Sequence, residues 1–375
     1  MRIAIDATSV PPSPAGAGVY AIELVRAMAQ RDAHDGYAVF TRGAWFDEAA
    51  AGKRNWRIER VAATSRERRL WWEQTRLPGA LTRLGADVLH STHHTLPLRP
   101  MRSCRVVTVH DLTFLRIPQR YPPARRLYMQ SMTRLAARVA DAIIVPSMTV
   151  RGEVIGLLRV DAAKVHAVYE AAGAQYHPLD REASMAVARR YGVDRPFVLS
   201  VGSREPGKNR ARLIRAMHEL RGEGIDRALL IVGQKAWKFE EEAALVRELG
   251  MEERVTFAGY AAGEDLPALY SAADVFAFPS LYEGFGVPVL EAMACGAPVV
   301  TSNVSATAEV AGDAALLVDP LSVGSIRDGM RSLLGDAALR AKLSRRGMER
   351  VARFSWRRAA DETHAVYERV MERRA

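Results

Sequence analysis

Short apolar runs alternate along this chain with stretches in which apolar residues recur every three or four positions. The first half reads as strand Arg2 to Asp6 and helix Val19 to Gln30, strand Val88 to Ser91, strand Val106 to His110 and helix Ala124 to Val139, then strand Ala142 to Ser147. The grammar restarts with strand Phe197 to Gly202, helix Arg210 to Leu220, strand Ala228 to Gly233, helix Glu240 to Leu249 and strand Val255 to Ala258. A third passage runs through Val275 to Pro279 and the helical stretch Val289 to Ala294 to strand Ala297 to Thr301. Strands that alternate with helices predict parallel sheets covered on both faces, so the expected fold class is α/β with two doubly wound Rossmann-like domains. The break is expected between Ala171 and Val193, where His177-Pro178-Leu179-Asp180 interrupts the pattern, giving domains 1–180 and 181–356. Ligands of open α/β sheets bind beyond the carboxyl ends of the strands, which places the expected chemistry in a cleft between the two domains.

Length agrees, since 375 residues exceed what one core normally holds. The hydrophobic fraction of 49% and charged fraction of 26% exclude a disordered or fibrous chain. No apolar run approaches the roughly 20 residues of a spanning helix. The opening Met1-Arg2-Ile3-Ala4-Ile5-Asp6 carries charge where a leader would be apolar, so a cytoplasmic protein is expected. Cys104 and Cys295 lack metal spacing and are expected to be small core residues. Charge adds more. Residues 1–180 hold 25 Lys/Arg against 16 Asp/Glu, a balance of +9 out of the total +10. Lys53, Arg54, Arg57, Arg60, Arg66, Arg68, Arg69 and Arg76 surround Trp71 and Trp72, a mixture suited to anionic headgroups or to nucleic-acid phosphates, or else a solvated helix face.

Three segments carry candidate chemistry. Gly16-Ala17-Gly18-Val19-Tyr20-Ala21 fits a loose dinucleotide fingerprint, but it stands about nine residues beyond its strand instead of in a tight turn. A glycine loop opening a helix can instead bring backbone close to a phosphate or sugar. In the second segment, Ser203-Arg204-Glu205-Pro206-Gly207-Lys208-Asn209 follows a strand and opens a helix, which favours an anion, with Lys208 and Arg204 adding charge. The third, Phe278 to Pro298, reads as strand, glycine loop, helix with Pro288 in its first turn, Gly296 stop and new strand. Glu283 in the loop and Glu291 in the helix bring two carboxylates that could each accept hydrogen bonds from vicinal sugar hydroxyls. His90, His93 and His94 read as polar lining rather than a metal site, and no Asp-x-Asp pair occurs.

Glu283 and Glu291, separated by seven residues around Gly284-Phe285-Gly286, resemble the E-x7-E element of the family 4 retaining glycosyltransferases with the GT-B fold. Gly16-Ala17-Gly18, Trp72-Glu73-Gln74, Val109-His110-Asp111-Leu112, Glu205-Pro206-x-Lys208-Asn209, Ser302-Asn303-Val304-Ser305, Glu309 to Ala315 and Phe354-Ser355-Trp356 fall in the family's order. The wording is similar to the branch that builds O-antigen and other surface polysaccharides. The resemblance implies a metal-independent transfer of a hexose, mannose from GDP-mannose, to a glycan or polyprenyl-linked acceptor at an anionic membrane surface on the cytoplasmic side. It needs no cofactor and no nucleic acid.

By position, the resemblance implies that His110, Glu283 and Lys208 serve catalysis and that Gly16, Gly18, Ser203, Arg204, Lys208, Glu283, Gly284, Phe285, Gly286 and Glu291 hold the donor. The first domain would receive the acceptor and the second the nucleotide sugar, with helix 357–375 returning to the first. The chain departs from the family at Ser203 and Gly207, where arginine is usual, and at Ser305-Ala306-Thr307-Ala308-Glu309. An epimerase, a phosphorylase or a non-catalytic sugar-nucleotide sensor would use similar residues.

Overall fold

In a computed structural model of the chain, described for residues 1–31, 34–203, 205–233 and 239–374, the strands form two parallel sheets. The first sheet contains β1 (Arg2–Asp6), β2 (Gly36–Thr41), β3 (Trp56–Arg60), β4 (Val88–Ser91), β5 (Cys104–Thr108), β6 (Ala142–Val145) and β7 (Val165–Ala167), in the order 3-2-1-4-5-6-7. The second contains β8 (Phe197–Val201), β9 (Ala228–Val232), β10 (Val255–Gly259), β11 (Val275–Phe278), β12 (Val299–Ser302) and β13 (Leu316–Val318), in the order 10-9-8-11-12-13. Neighbouring strands are parallel throughout both. The chain divides into two units, Met1–Glu170 with Trp356–Ala375, and Ala171–Ser355.

Burial on both faces explains the continuous apolar strands: every residue of β4, β6, β8, β9 and β11 is buried. In the first unit Ile3, Ile5, Val39, Val106 and Ile144 pack toward the helices Ala17–Ala29 and Trp356–Glu372, while Val107, Val109, Ile143 and Val145 form the core of the opposite face. The terminal helix packs along Ala17–Ala29 and is tied to the sheet by Tyr367, whose hydroxyl lies 2.6 Å from His90 Nδ1. His90 Nε2 reaches Thr108 Oγ1 at 2.8 Å, so neutral His90 takes one hydrogen bond and gives the other.

Four strands were not anticipated from the apolar pattern: β2, β3, β7 and β13. Edge strand β3 alternates charge with apolar residues, and its Trp56 stacks on its register partner Tyr37 with ring centroids 4.3 Å apart. It also lies inside the basic run, which the structure splits. Arg60 pairs with Asp47 behind the edge strand, Arg69 is buried against Glu73, and Trp72 packs on Phe40 at 5.4 Å. Only Trp71 of the two tryptophans is exposed, with the Arg76 guanidinium 5.4 Å from its ring. Both cysteines are buried thiols. No helix of the described residues is long and apolar enough to cross a membrane.

Candidate active site

In the second sheet the strand order turns outward in both directions from the β8–β11 pair, so the loops leaving these two strands diverge and open a crevice at their carboxyl ends. The backbone there is crowded. Gly202 has φ +138° and Gly233, at the end of β9, has φ +151°; a Cβ on Gly233 would lie 1.7 Å from the Gly202 carbonyl oxygen. Glycine is therefore obligatory at Gly233. After Gly202 the chain passes Ser203, which is exposed, into a 3₁₀ turn Pro206–Lys208 and the helix Arg210–Gly222.

Lys208 extends from that turn to Glu283 in the loop after β11, with Nζ and Oε1 2.6 Å apart and both side chains about 15% exposed. Its ammonium also lies 5.0 Å from the centre of the Phe278 ring. Two of the predicted residues, 75 positions apart in sequence, thus meet. The residue that makes the meeting possible is Asn209. Held at φ +60°, it donates from Nδ2 to the carbonyls of Pro279 at 2.9 Å and Pro320 at 2.6 Å, while Leu281 N–H donates to Gly207 O at 2.9 Å. A buried amide and one backbone bond join the two loops.

From the other side Ser305, itself at φ +57°, accepts from Glu283 N–H at 3.2 Å, and the Ser302 hydroxyl donates to Ser280 O at 2.6 Å. Gly286 at φ +103° turns the loop into the helix Val287–Ala294, where a Cβ would sit 3.1 Å from Thr307 Cγ2. Phe285 is buried with its ring edge-on to Phe354, and Gly284 lies half-buried beside it. Glu291 makes its hydrogen bonds in a different group: Tyr270 Oη donates to Oε2 at 2.8 Å and Tyr176 provides a second bond. Burial pushes the Glu291 carboxyl above its ordinary range, the two phenols pull it partly back, and both tyrosines are raised in turn. Arg204 lies outside the described residues.

In the first sheet the order turns at β1 and β4. A cavity of about 300 Å³ opens beyond their ends, walled among others by Ser9, Gly18, Arg66, His93, His110 and Tyr128. Gly16 at φ +50° caps the helix Ala17–Ala29, and the absent side chain of Gly18 admits Pro11, since a Cβ would lie 3.2 Å from Pro11 Cδ. His110 stands two residues past β5 rather than on the strand. Its Nε2–H donates to Thr92 O at 2.9 Å, its Nδ1 faces the buried Glu170 carboxylate at 3.7 Å, and Tyr20 packs edge-on at 4.8 Å. Burial works against its charged form, but Glu170, Thr92 and Asp111 outweigh it and raise the imidazole above its usual value.

Arg69 and His93 of the cavity wall belong to a buried network with Glu73 and Asp6 that local sequence spacing does not assemble. Glu73 Oε2 accepts from Arg69 at 2.9 Å and Thr95 at 2.7 Å and lies 3.0 Å from His93 Nε2, which is 3.9 Å from Asp6 Oδ2. Burial raises the Glu73 carboxyl, but His93, Arg69 and Thr95 overcome this and hold it at about 2. Gln74 next door bonds Leu96 O and Leu98 N–H, fixing the loop after β4. Trp72-Glu73-Gln74 was the available signal. Asp6, Glu73 and His93 offer three ligand atoms within 4.8 Å of each other, yet the Arg69 guanidinium already bonds two of them. His93 Nδ1 and His94 Nδ1 are buried atoms on cavity-lining residues without a hydrogen-bond partner among the described residues.

Comparison with known proteins agrees with this fold. The family described as glycosyl transferases group 1 matches residues 186–350, and that described as Glycosyltransferase Family 4 matches residues 14–172. The O-antigen chain mannosyltransferase B of Escherichia coli is 34% identical over 282 residues, covering 75% of this chain and 74% of that one. Sucrose-phosphate synthase from Thermosynechococcus elongatus shares the fold at a TM-score of 0.80 and 23% identity, with 99% of each chain covered. Anabaena HepE, solved with UDP and glucose, follows at 0.76 and 18%, covering 98% of this chain and 99% of its own. Two parallel-sheet Rossmann-like domains in one chain, matched over both halves, are the GT-B architecture, and this chain belongs to the family 4 glycosyltransferases.

Proposed function

We propose that this glycosyltransferase moves mannose from GDP-mannose to a polyprenyl-linked glycan, with retention of configuration and without a metal ion, in the synthesis of a bacterial surface polysaccharide. The observation that carries the reading is the Lys208–Glu283 pair at the switch point of the second sheet, each partner fixed by loops that Asn209 and Ser305 clamp. A dinucleotide-type fold presents that point to a nucleotide diphosphate. Lys208 would neutralise the departing diphosphate together with backbone N–H groups of the Gly284-Phe285-Gly286 loop, and Arg204 and Ser203 would flank it. Glu283 would accept hydrogen bonds from hexose hydroxyls and Glu291 from the ribose, where two lone-pair sites remain after its tyrosines are served. The mannosyl identity rests on the Escherichia coli relative's activity, and the nucleotide-sugar donor on the UDP bound by HepE.

The reaction follows from the charges. The bond from the anomeric carbon to the diphosphate oxygen breaks, an oxocarbenium-like carbon develops, and the acceptor hydroxyl forms its bond on the same face. The hydroxyl's proton passes to the departing phosphate oxygen, so no carboxylate nucleophile is needed. Lys208 is pre-placed for the growing phosphate charge, which is where a fixed cation gains most. The unpartnered polar atoms of the first unit's cavity, with His110 and the Gly16 to Gly18 loop at its edge, suit the hydroxyls of an acceptor sugar. The basic first unit, with exposed Trp71 beside Arg76, would sit on an anionic cytoplasmic membrane face.

A thermal-shift panel of GDP-mannose, UDP-glucose, ADP-glucose and dTDP-glucose tests the donor. At a hundredfold excess over Kd a ligand adds about 2.7 kcal/mol, a shift of roughly 5 to 10 °C for domains of this size. GDP-mannose should shift the most and Lys208→Met should abolish the shift. An equal response to every nucleotide, or none, rejects the reading.

A further inference from the structure

A second cavity lies on the same side of the first sheet, beyond the carboxyl ends of β1, β2 and β3, and is open to solvent. Its volume is about 560 Å³ and its walls include Val10, Pro12, Arg42, Trp45, Val61 and Thr64. The segment after β1 separates it from the inner cavity that His110 and His93 line. Ser9 and Pro11 face the inner cavity, while Val10 and Pro12 face the outer one. Residues 9–12 of this turn and bend segment, in which Val10 N–H donates to Ala7 O at 3.2 Å, therefore form the partition between the two cavities.

The outer cavity is built rather than incidental. Gly43 leaves space for the Trp45 indole to lie across the backbone, because a Cβ there would sit 2.8 Å from Nε1 and 3.0 Å from Cδ1. The turn that carries the indole is held by Arg60, which bonds Gly43 O and Asp47. Opposite, Arg42 is anchored by its own donors, Nε to Thr8 O at 2.6 Å and Nη1 to Ala63 O at 3.4 Å. No carboxylate lies in salt-bridge contact with Arg42 among the described residues, and burial lowers its pKa, as does nearby Arg69. The cavity thus combines an aromatic face, a hydrogen-bonding cation, the Thr64 hydroxyl and small apolar walls.

That set fits a pyranose ring: its apolar C–H face can lie on an indole while its equatorial hydroxyls meet guanidinium and hydroxyl groups. An isoprenoid chain would leave the Arg42 donors not taken by Thr8 O and Ala63 O unmatched, and a phosphate would gain nothing from the indole face. We propose that the Trp45 cavity is a distal acceptor subsite, holding a sugar further along the acceptor chain than the residue that is glycosylated, so that the enzyme recognises a chain of hexoses rather than a single one. This rests on the reading of the first unit as the acceptor side.

Saturation-transfer NMR with α-linked mannotriose and with mannose, in the absence of donor, tests it on the full chain. Mannotriose should bind the native protein at least about fivefold more tightly than mannose. Trp45→Ala should remove the difference, and Trp45→Phe should keep most of it. Gly43→Ala, which displaces the indole without deleting it, should remove the difference as well and guards against a variant that only loses packing. The same pattern should appear as the ratio of KM values for the two acceptors in the transfer assay. Equal binding of the two sugars by the native protein, or a preference that survives both Trp45→Ala and Gly43→Ala, overturns the subsite. Absence of transfer from any nucleotide sugar, with the binding preference intact, would instead overturn the proposed function and leave the subsite standing.

Discussion

Replacing Asn209 by alanine isolates the clamp between the loops of the candidate donor site. The substitution removes two buried hydrogen bonds, to Pro279 O and Pro320 O, each worth about 1 kcal/mol net, and a part-buried one accepted from Arg212 Nη1 at 2.9 Å, which solvent largely replaces. It also places a residue with a Cβ at φ +60°, where asparagine is tolerated and alanine pays about 1 kcal/mol. The sum is about 3 kcal/mol, near the upper end of ordinary single-site losses. For a unit of this size that is roughly 6 to 12 °C in Tm. Asn209→Gly removes the same bonds without the backbone strain, so it should cost about 1 kcal/mol less than alanine, offset in part by glycine's freedom in the unfolded chain. Urea unfolding of the three proteins, with nucleotide-sugar titration alongside, measures both effects. The nucleotide should bind more weakly in both variants, because the Lys208 turn is released from the Glu283 loop. If both unfold within about 0.5 kcal/mol of the native protein and bind donor unchanged, the clamp does not hold the site together.

Two further outcomes follow from the packing. Burial keeps His90 and His94 neutral, with pKa values lowered to about 3 and about 4, so the unfolded chain binds the protons that the folded one refuses. Their contribution to the stability of the first unit is full above pH 6.5 and is lost on acidification, by about 1.4 kcal/mol per pH unit per histidine until the lowered pKa is reached, while the raised His110 works in the opposite sense. Hydrogen exchange of the β4 and β5 amides at pH 7.5, 6 and 5, corrected for intrinsic rates, should show declining protection, and a flat profile contradicts it. Gly233→Ala sets a Cβ against the Gly202 carbonyl and should cost about 3 kcal/mol or more, whereas Gly224→Ala, at φ +85° with nothing within 4 Å, should cost only about 1. Equal losses at the two positions would show that the loops leaving β8 and β9 separate easily.

The sequence made the alternating α/β architecture legible because central strands of a parallel sheet are buried on both faces and appear as unbroken apolar runs. Val275–Phe278 and Phe197–Val201 are examples. Edge and terminal strands lack that signature: Trp56–Arg60 carries three charges, and Leu316–Val318 is only three residues long. The candidate donor loops were legible as glycine-rich passages between strand and helix, and Lys208 and Glu283 do meet. Glu291 sits instead with two tyrosines, one of them 115 positions away, a partnership that no local spacing signals. The Asp6–Arg69–Glu73–His93 network is of the same kind, joined only when β1, β4 and the helix Arg66–Thr75 converge. Asn209 could be placed in a motif, but its structural part depends on two carbonyls 70 and 111 residues downstream.

Metal-independent mannosyl transfer with retention is measured by incubating the protein with GDP-mannose and a polyprenyl-linked oligosaccharide in EDTA and determining the anomeric configuration of the product by NMR. An α-mannosyl product should form at full rate under chelation and should be lost in Glu283→Gln and Lys208→Met proteins that remain folded. A β-linked product, a strict requirement for added metal, or undiminished transfer by both variants would contradict it.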